Sequence, residues 1–259
     1  MTLIKAAVCR EFGKPLVIEE VELLPPNYGE VQVKLGACSI CHSDILYAEG
    51  AWGGDLPAVY GHEAAGVVSD VGDGVTNVKV GDHVLVTLIR SCGKCHYCSQ
   101  GDKVQCDSVF PLDENSPLRT SEGEFIKHGL RTAAFAESVV VDSSQLVSIP
   151  KEISLESASV LSCGVITGFG AVVNTAKIKS GCSVVVMGTG GVGLNSVQGS
   201  SVAGAESIIA LDLSDEKLEA AKKFGATHAV NVSREKPTKA VYGITEGRGA
   251  DYVFVTVGD

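Results

Sequence analysis

Cys92, Cys95, Cys98 and Cys106 fall within fifteen residues at the spacing Cys-x2-Cys-x2-Cys-x7-Cys. Four thiolates presented to one point meet the tetrahedral demand of a structural zinc. An iron–sulfur cluster is the competing reading, because bacterial ferredoxin runs begin with the same two short spacings. Here the fourth cysteine lies eight residues beyond the third, no proline follows it, and no second cluster motif exists, so zinc is the better match. The chain has nine cysteines, an odd number with several at metal spacing, which suits a reducing compartment better than a disulfide framework. Cytoplasm is the expected location.

A second set is more dispersed. Cys41-His42-Ser43-Asp44, Gly61-His62-Glu63 and Cys163 together offer two sulfurs and one imidazole from three segments. That is the Cys2His set of a catalytic zinc, which leaves a fourth position open for water or substrate. Asp44 and Glu63 stand beside candidate ligands, where a carboxylate can orient them. A third pattern, Gly188-Thr189-Gly190-Gly191-Val192-Gly193, fits G-x-G-x-x-G. It follows the apolar run Cys182–Met187 and opens a helix expected over Gly193–Ala203, the context that gives this motif meaning. The first glycine makes the turn, the second lets backbone approach a pyrophosphate, and the third permits close helix–strand packing. The helix N-terminus then offers N–H groups to phosphates. Asp212 ends a second strand nineteen residues after Gly193. A carboxylate there accepts from both ribose hydroxyls and repels a 2′-phosphate, favouring NAD over NADP.

These groups need elements to hold them. The first half is β-rich: Val31–Leu35 alternates with period two, and Ala64–Val68, His83–Leu88 and Phe135–Val141 are further valine-rich strand candidates. The polar stretch Asp107–Lys127 reads as an irregular excursion that could line a cleft. After Pro150 strand and helix alternate. Cys182–Met187, Ser207–Asp212, His228–Asn231 and Asp251–Val257 are expected strands, with a helix over Ser214–Phe224 capped by Ser214. This is a βαβ sheet with right-handed crossovers. Four strands stand where a doubly wound dinucleotide fold has about six, so the sequence reads as part of a longer chain. The 259 residues, 45% hydrophobic and 20% charged, are those of an ordinary globular protein long enough for two domains. A formal charge of -10 argues against nucleic acid and anionic membrane partners. Apolar runs are strand-length, and the N-terminus is too short in its apolar part for a signal peptide.

Taken together, Gly61-His62-Glu63-x2-Gly66-x5-Gly72-x2-Val75, the four-cysteine lobe, Cys163 and the dinucleotide loop carry a resemblance over essentially all of the chain. It resembles the zinc-dependent alcohol dehydrogenases of the medium-chain dehydrogenase/reductase family. The resemblance implies an α/β chain: a partly open, GroES-like β-barrel catalytic domain over 1–163, with its structural-zinc lobe near 91–107. An incomplete doubly wound Rossmann domain for NAD follows over 164–259, truncated after its fourth strand. In the family the substrate enters a cleft between the two. By position, Cys41, His62 and Cys163 bind the catalytic zinc, and Glu63 is a nearby orienting group or transient ligand. Ser43 hands on the alcohol proton and His42 faces the pyrophosphate. Thr167 and Val192 pack near the nicotinamide, and Asp212 and Lys217 bind the adenosine ribose.

The activity implied is hydride transfer between a zinc-bound primary alcohol or aldehyde and NAD. Dehydrogenation of S-(hydroxymethyl)thiol adducts of formaldehyde, or of polyols, is the alternative on the same scaffold, and a non-catalytic zinc-stabilised fragment is the alternative outside it. A homo-oligomer is implied for the full-length protein. Two departures from the family pattern stand out: Leu46 occupies the position of a relay histidine, and Leu88 that of a larger pocket residue. Of the remaining groups, Cys9, Cys38 and Cys182 read as small buried hydrophobes. His96 is surplus to a shell of four thiolates, and His83, His128 and His228 read as surface or strand-end residues. Trp52 reads equally as a cleft wall or as packing.

Overall fold

In a computed structural model, residues 1–258 are described; Asp259, the last residue of the expected Rossmann segment, lies outside them. The chain forms two compact units, Met1–Cys163 and Gly164 onward.

The first unit begins with a hairpin that the sequence reading left unassigned. Thr2–Cys9 pairs antiparallel with Val17–Leu23. Ile4, Ala6, Val8, Val21 and Leu23 turn inward, and the alternate positions are more exposed. Leu118–Arg119, Phe125–His128 and Ala58–Val59 close this hairpin into a five-stranded barrel. The expected irregular excursion Asp107–Lys127 is thereby corrected. It carries a short helix, Pro111–Glu114, and strands of the barrel. Two-residue strands such as Leu118–Arg119 hold no periodicity to read. Leu118 and Ile126 nevertheless bury fully in the barrel core, each contributing about 1.5–3 kcal/mol of transfer free energy.

A second sheet orders Leu146–Ser148, His83–Val86, Glu63–Val71, Glu30–Ser39 and Ser138–Asp142. Its core is mostly valine: Val31, Val33, Val68, Val84, Val86, Val139 and Val141. β-Branched side chains pack well on a pleated surface, which is why valine-rich runs settle here. Strand Glu30–Ser39 shifts register twice against Glu63–Val71, between Gln32 and Val33 and between Leu35 and Ala37. Such bulges bend and twist a strand, and this one leads directly to Cys41.

The second unit is a parallel sheet ordered His228–Asn231, Ser207–Asp212, Ser183–Met187, Tyr252–Val255. The apolar run Ser183–Met187 sits inside it and feeds helix Gly191–Val202. Helix Asp215–Lys223 follows the next strand, its Ser214 cap accepting the Lys217 N–H. A helix not anticipated, Pro237–Ile244, starts with proline at its first position, where the missing N–H costs nothing. The last strand is shorter than expected. Asp251 instead accepts the Ser183 N–H at 2.8 Å, and Thr256 turns back to donate its hydroxyl to the Gly188 carbonyl at 2.7 Å. Among the described residues no single helix is long and apolar enough to cross a membrane.

His83, His128 and His228 each begin or end a strand. A surface place for His128 is wrong, however: it is 6% exposed and neither ring nitrogen makes a hydrogen bond. Burial, with Arg90 nearby, pushes its imidazole down to about 3. The folded chain therefore keeps this ring neutral while the unfolded chain protonates it near 6.5. Its contribution is complete above pH 6.5 and is lost as pH falls toward 3, at up to about 1.4 kcal/mol per pH unit. Urea midpoints of the wild type are expected to fall across that window, and His128→Leu should flatten the fall. Equal slopes for the two proteins would refute the assignment.

Candidate active site and metal centres

Helix His42–Ala48 starts immediately after Cys41, and Asp44 at its third position closes the turn. The Cys41 N–H donates to Asp44 Oδ2 at 2.9 Å, one arm of a capping box. Asp44 Oδ1 accepts the Gly61 N–H at 3.0 Å and meets His62 Nδ1 at 3.0 Å. Both side chains are buried, at 2% and 1% exposure. One carboxylate thus ties together two segments that carry candidate ligands. With Nδ1 engaged as donor, the hydrogen-bond network assigns the free lone pair to Nε2. Gly61 turns the chain into this position at φ 92, where an added Cβ would lie 2.6 Å from Phe135. No side chain fits there.

Cys163 arrives from the other direction, after the turn Val160–Ser162. Ser162 Oγ donates to the Ala64 carbonyl at 3.0 Å, and the Ser39 and Ser159 hydroxyls meet at 2.9 Å. These contacts bind the Cys163 segment to the two strands that deliver Cys41 and His62. Ligand atoms of Cys41, His62, Glu63 and Cys163 consequently all lie within 4.8 Å of one another.

The Cys41 and His62 groups shift in opposite directions. Hydrogen bonds with Cys163, then His62 and Ser43, hold the Cys41 thiol down at about 3. Burial alone would lower the His62 imidazole, but Asp44 and Cys41 together raise it to about 9. A metal cation would take the Cys41 thiolate as an anionic donor and displace the Nε2 proton of His62, while Asp44 keeps Nδ1 as the donor. Two sulfurs and an imidazole, with a carboxylate at hand, are borderline-soft donors and fit zinc. Ser43 is half-buried beside Cys41, its hydroxyl among the groups that lower that thiol, while His42 is exposed.

The lobe satisfies a stricter test. Zn–S bonds of about 2.3 Å in a tetrahedron place sulfurs about 3.8 Å apart. The Cys95 and Cys106 sulfurs are 3.9 Å apart, and all four sulfur atoms fall within 4.8 Å. N–H groups already point at them: Cys95 N–H donates to Cys92 Sγ at 3.2 Å and Cys98 N–H to Cys95 Sγ at 3.5 Å. The Ser108 hydroxyl, 3.0 Å from Cys92 Sγ, and then the Lys94 and Cys95 amides draw that thiol down to about 6. Burial pushes Cys98 up to about 12. Such opposed shifts are expected of four sulfurs that cannot all be anionic without a cation among them. His96 is exposed.

In the second unit the loop behaves as its glycines require. A Cβ on Gly193 would land on the Gly188 carbonyl, whereas one on Gly190 or Gly191 would meet nothing within 4 Å. The open side is the side a ligand backbone can approach. Helix Gly191–Val202 has no side-chain cap, so its first N–H groups remain available to an anion. Asp212 does more than was anticipated: it accepts from Thr189 N–H at 2.8 Å, from Thr189 Oγ1 at 3.0 Å and from Ser214 N–H at 3.0 Å. Although burial opposes it, these donors hold the carboxyl below its usual range. Asp212 and Lys217 line a cavity of about 480 Å³ with Gly188 and Pro237. Thr167 lies on helix Gly164–Gly170, which crosses helix Gly191–Val202 so closely that a Cβ on Gly168 would strike the Val192 carbonyl. An open phosphate cradle beside an ionised, cavity-lining carboxylate fits a dinucleotide.

Cys9 and Cys182 are buried as expected, but Cys38 is only partly so. Trp52 is 54% exposed and meets Tyr47 edge-on at 5.2 Å. Tyr47 also stacks on Tyr60 at 5.8 Å, and both tyrosines, with Leu88, line a cavity of about 660 Å³. Sequence reasoning missed a buried polar network behind that cavity. Arg90, 2% exposed, donates to Gln145 Oε1 at 2.9 Å, Asp113 Oδ1 at 2.6 Å and the Arg131 carbonyl at 3.1 Å. An arginine reads as surface unless its distant partners are known.

The geometry has counterparts among known proteins. Residues 27–151 match the family model described as alcohol dehydrogenase GroES-like domain, and residues 191–259 match the one described as zinc-binding dehydrogenase. The chain is 39% identical over 256 residues to alcohol dehydrogenase 1 of Pisum sativum, covering 95% of this chain and 67% of the relative. It is 40% identical to alcohol dehydrogenase class-P of Arabidopsis thaliana, covering 95% and 68%. Among solved structures, an alcohol dehydrogenase zinc-binding domain protein from Burkholderia ambifaria superposes with TM-score 0.94 at 36% identity, over 100% of this chain and 71% of the other. Benzyl alcohol dehydrogenase from Acinetobacter calcoaceticus follows at 0.91 and 33%, over 100% and 72%.

Metal analysis of the zinc-saturated chain is expected to give about two ions, with Cys41→Ser and Cys98→Ser each leaving about one. Asp44→Ala should weaken zinc at the Cys41 set by about 10–100-fold in chelator competition, leaving the lobe's ion in place. An unchanged affinity would show that Asp44 does not position His62.

Proposed function

Because the chain belongs to the zinc-dependent alcohol dehydrogenases of the medium-chain dehydrogenase/reductase family, we propose that it interconverts primary alcohols and aldehydes using zinc and NAD. The observation that carries this reading is the convergence of Cys41, His62 and Cys163 around a buried Asp44–His62 pair. Zinc held by those three supplies a positive charge that acidifies a hydroxyl and, in the reverse direction, polarises a carbonyl. NAD held by the glycine loop supplies the ring that accepts hydride.

The chain's own residues prepare and clear the reaction. Asp44 fixes the ring of His62 so that Nε2 faces the other donors. Glu63, whose carboxylate lies within the same cluster, offers an alternative oxygen donor. The Ser43 hydroxyl, placed against the Cys41 sulfur, takes the substrate proton. Leu46 cannot pass it on, so the proton leaves through water or a cofactor hydroxyl. Cys92, Cys95, Cys98 and Cys106 would hold a second zinc, which would bring order and no chemistry. Gly188, Gly190 and Gly193 shape the phosphate cradle, and Val192 and Thr167 would pack near the nicotinamide. Asp212, ionised at neutral pH, receives the ribose hydroxyls with Lys217 and repels a 2′-phosphate. Among the described residues no disulfide joins the nine cysteines, and six of them stand in the two candidate zinc sets, which supports a reducing location such as the cytoplasm. The reading includes a homo-oligomer for the full-length enzyme.

The test is formation of NADH from a panel of primary alcohols, polyols and formaldehyde–thiol adducts by the zinc-loaded chain. Ser43→Ala is expected to cut kcat by about 100-fold or more while zinc content and NAD affinity stay unchanged. Turnover confined to polyols or thiol adducts would replace the substrate assignment. One zinc per chain without saturable NAD binding would remove the enzymatic one.

A further inference from the structure

We propose that the substrate carries an anionic group, such as a carboxylate, at the end remote from its hydroxyl, and that Arg131 recognises it. The proposal rests on the alcohol dehydrogenase reading and goes beyond it by naming the substrate's second functional group. Its basis is the 660 Å³ cavity. Tyr47 lines that cavity from the helix that carries Ser43 and Asp44, and Tyr60 from the segment that enters Gly61 and His62. The walls are therefore extensions of the elements that deliver the donor set. The proposal requires that an alcohol whose hydroxyl lies at that set extend past Tyr60 and Leu88 into the cavity.

The charges around the cavity are unevenly matched. Asp113 is engaged by Arg90 at 2.6 Å, and Asp55 faces Lys127 at 3.7 Å. His128, neutral and buried, contributes no charge. Arg131 lines the same cavity with an exposed side chain, and among the described residues its guanidinium forms no ion pair. Arg131 is thus the lining cation that stands outside an ion pair, and its planar fork suits a carboxylate.

The backbone at Arg131 is held in place at a conformational cost. Leu130, Arg131 and Ala133 have φ of 51°, 61° and 53°, a region that side chains rarely adopt. The buried network stabilises it: the Arg131 carbonyl accepts from both Arg90 Nη2 at 3.1 Å and Gln145 Nε2 at 3.0 Å. Arg90 and Gln145 are in turn joined at 2.9 Å, and Gln145 Nε2 also donates to the Thr87 carbonyl at 2.6 Å. Three strained positions anchored by buried side chains fix where the Arg131 side chain emerges. A solvent-facing arginine with no role needs no such anchoring. The anionic group itself is unchanged in the reaction, which alters only the carbinol carbon and its hydroxyl.

The experiment compares 4-(hydroxymethyl)benzoate with its neutral isostere 4-(hydroxymethyl)benzamide and with benzyl alcohol, using the zinc-loaded chain and NAD at low salt. The benzoate is expected to exceed the benzamide in kcat/KM by about tenfold, the worth of one charge-assisted contact. Arg131→Gln should abolish that preference, Arg131→Lys should keep part of it, and benzyl alcohol should respond to neither. Equal kcat/KM for benzoate and benzamide in the wild type overturns the proposal, as does an equal loss on all three compounds in Arg131→Gln. If none of the three is oxidised, the alcohol dehydrogenase reading has failed. Calorimetric titration of 4-(hydroxymethyl)benzoate then still decides the anion site: binding weakened about tenfold in Arg131→Gln supports it, and equal or absent binding rejects it.

Discussion

Asp44 is the hinge of the first unit's chemistry. A single buried carboxylate accepts the Cys41 N–H, accepts the Gly61 N–H and engages His62 Nδ1. Each of those donors belongs to a segment that would otherwise wander: a helix start, a left-handed turn and a strand entry. A buried carboxylate is costly unless its lone pairs are occupied, and here the occupants are the segments that must converge. The desolvation cost of Asp44 is offset by contacts that simultaneously place Cys41 and His62. Removing the carboxylate would leave the Gly61 amide and the imidazole without their buried partner, so its cost falls on the local fold and on the donor set together.

The second unit repeats the device at smaller scale. Asp212 spans the end of one strand and the loop after its neighbour, with Thr189 donating twice and Ser214 once. On the other side, the Thr256 N–H donates to the Met187 carbonyl and its hydroxyl to the Gly188 carbonyl. The glycine loop is thus held from both adjacent strands, while space stays open beside Gly190 and Gly191. Rigid support on two sides keeps phosphate-binding N–H groups aimed before any ligand arrives, which lowers the ordering cost of binding.

Local patterns in this sequence translated well into structure, and dispersed ones did not. The four lobe cysteines could be read because their spacing and their geometry are the same short stretch of chain. The glycine loop could be read because strand, turn and helix follow one another without interruption. The set drawn from Cys41, His62 and Cys163 needed a family pattern, since nothing local says that positions so far apart converge. Asp44 was noted as a neighbour of a ligand, but its bond to Gly61 depends on tertiary folding. The Arg90 network was invisible for the same reason: Gln145, Asp113 and Arg131 are remote in sequence, and arginine by type suggests a surface. Barrel strands of two residues carry no period, and His128 looks no different from an exposed histidine until the barrel closes around it.

The cysteine lobe has a consequence of another kind. Among its residues only Cys98 belongs to the buried apolar set, and its regular structure is one four-residue helix and one three-residue turn. So short a loop has no core from which to draw cohesion, and its sulfurs repel one another when ionised. Its order is therefore governed by mass action: every tenfold rise in free zinc adds about 1.4 kcal/mol to the folded lobe until other terms limit it. The lobe couples the persistence of this part of the protein to the concentration of an ion that takes no part in the reaction.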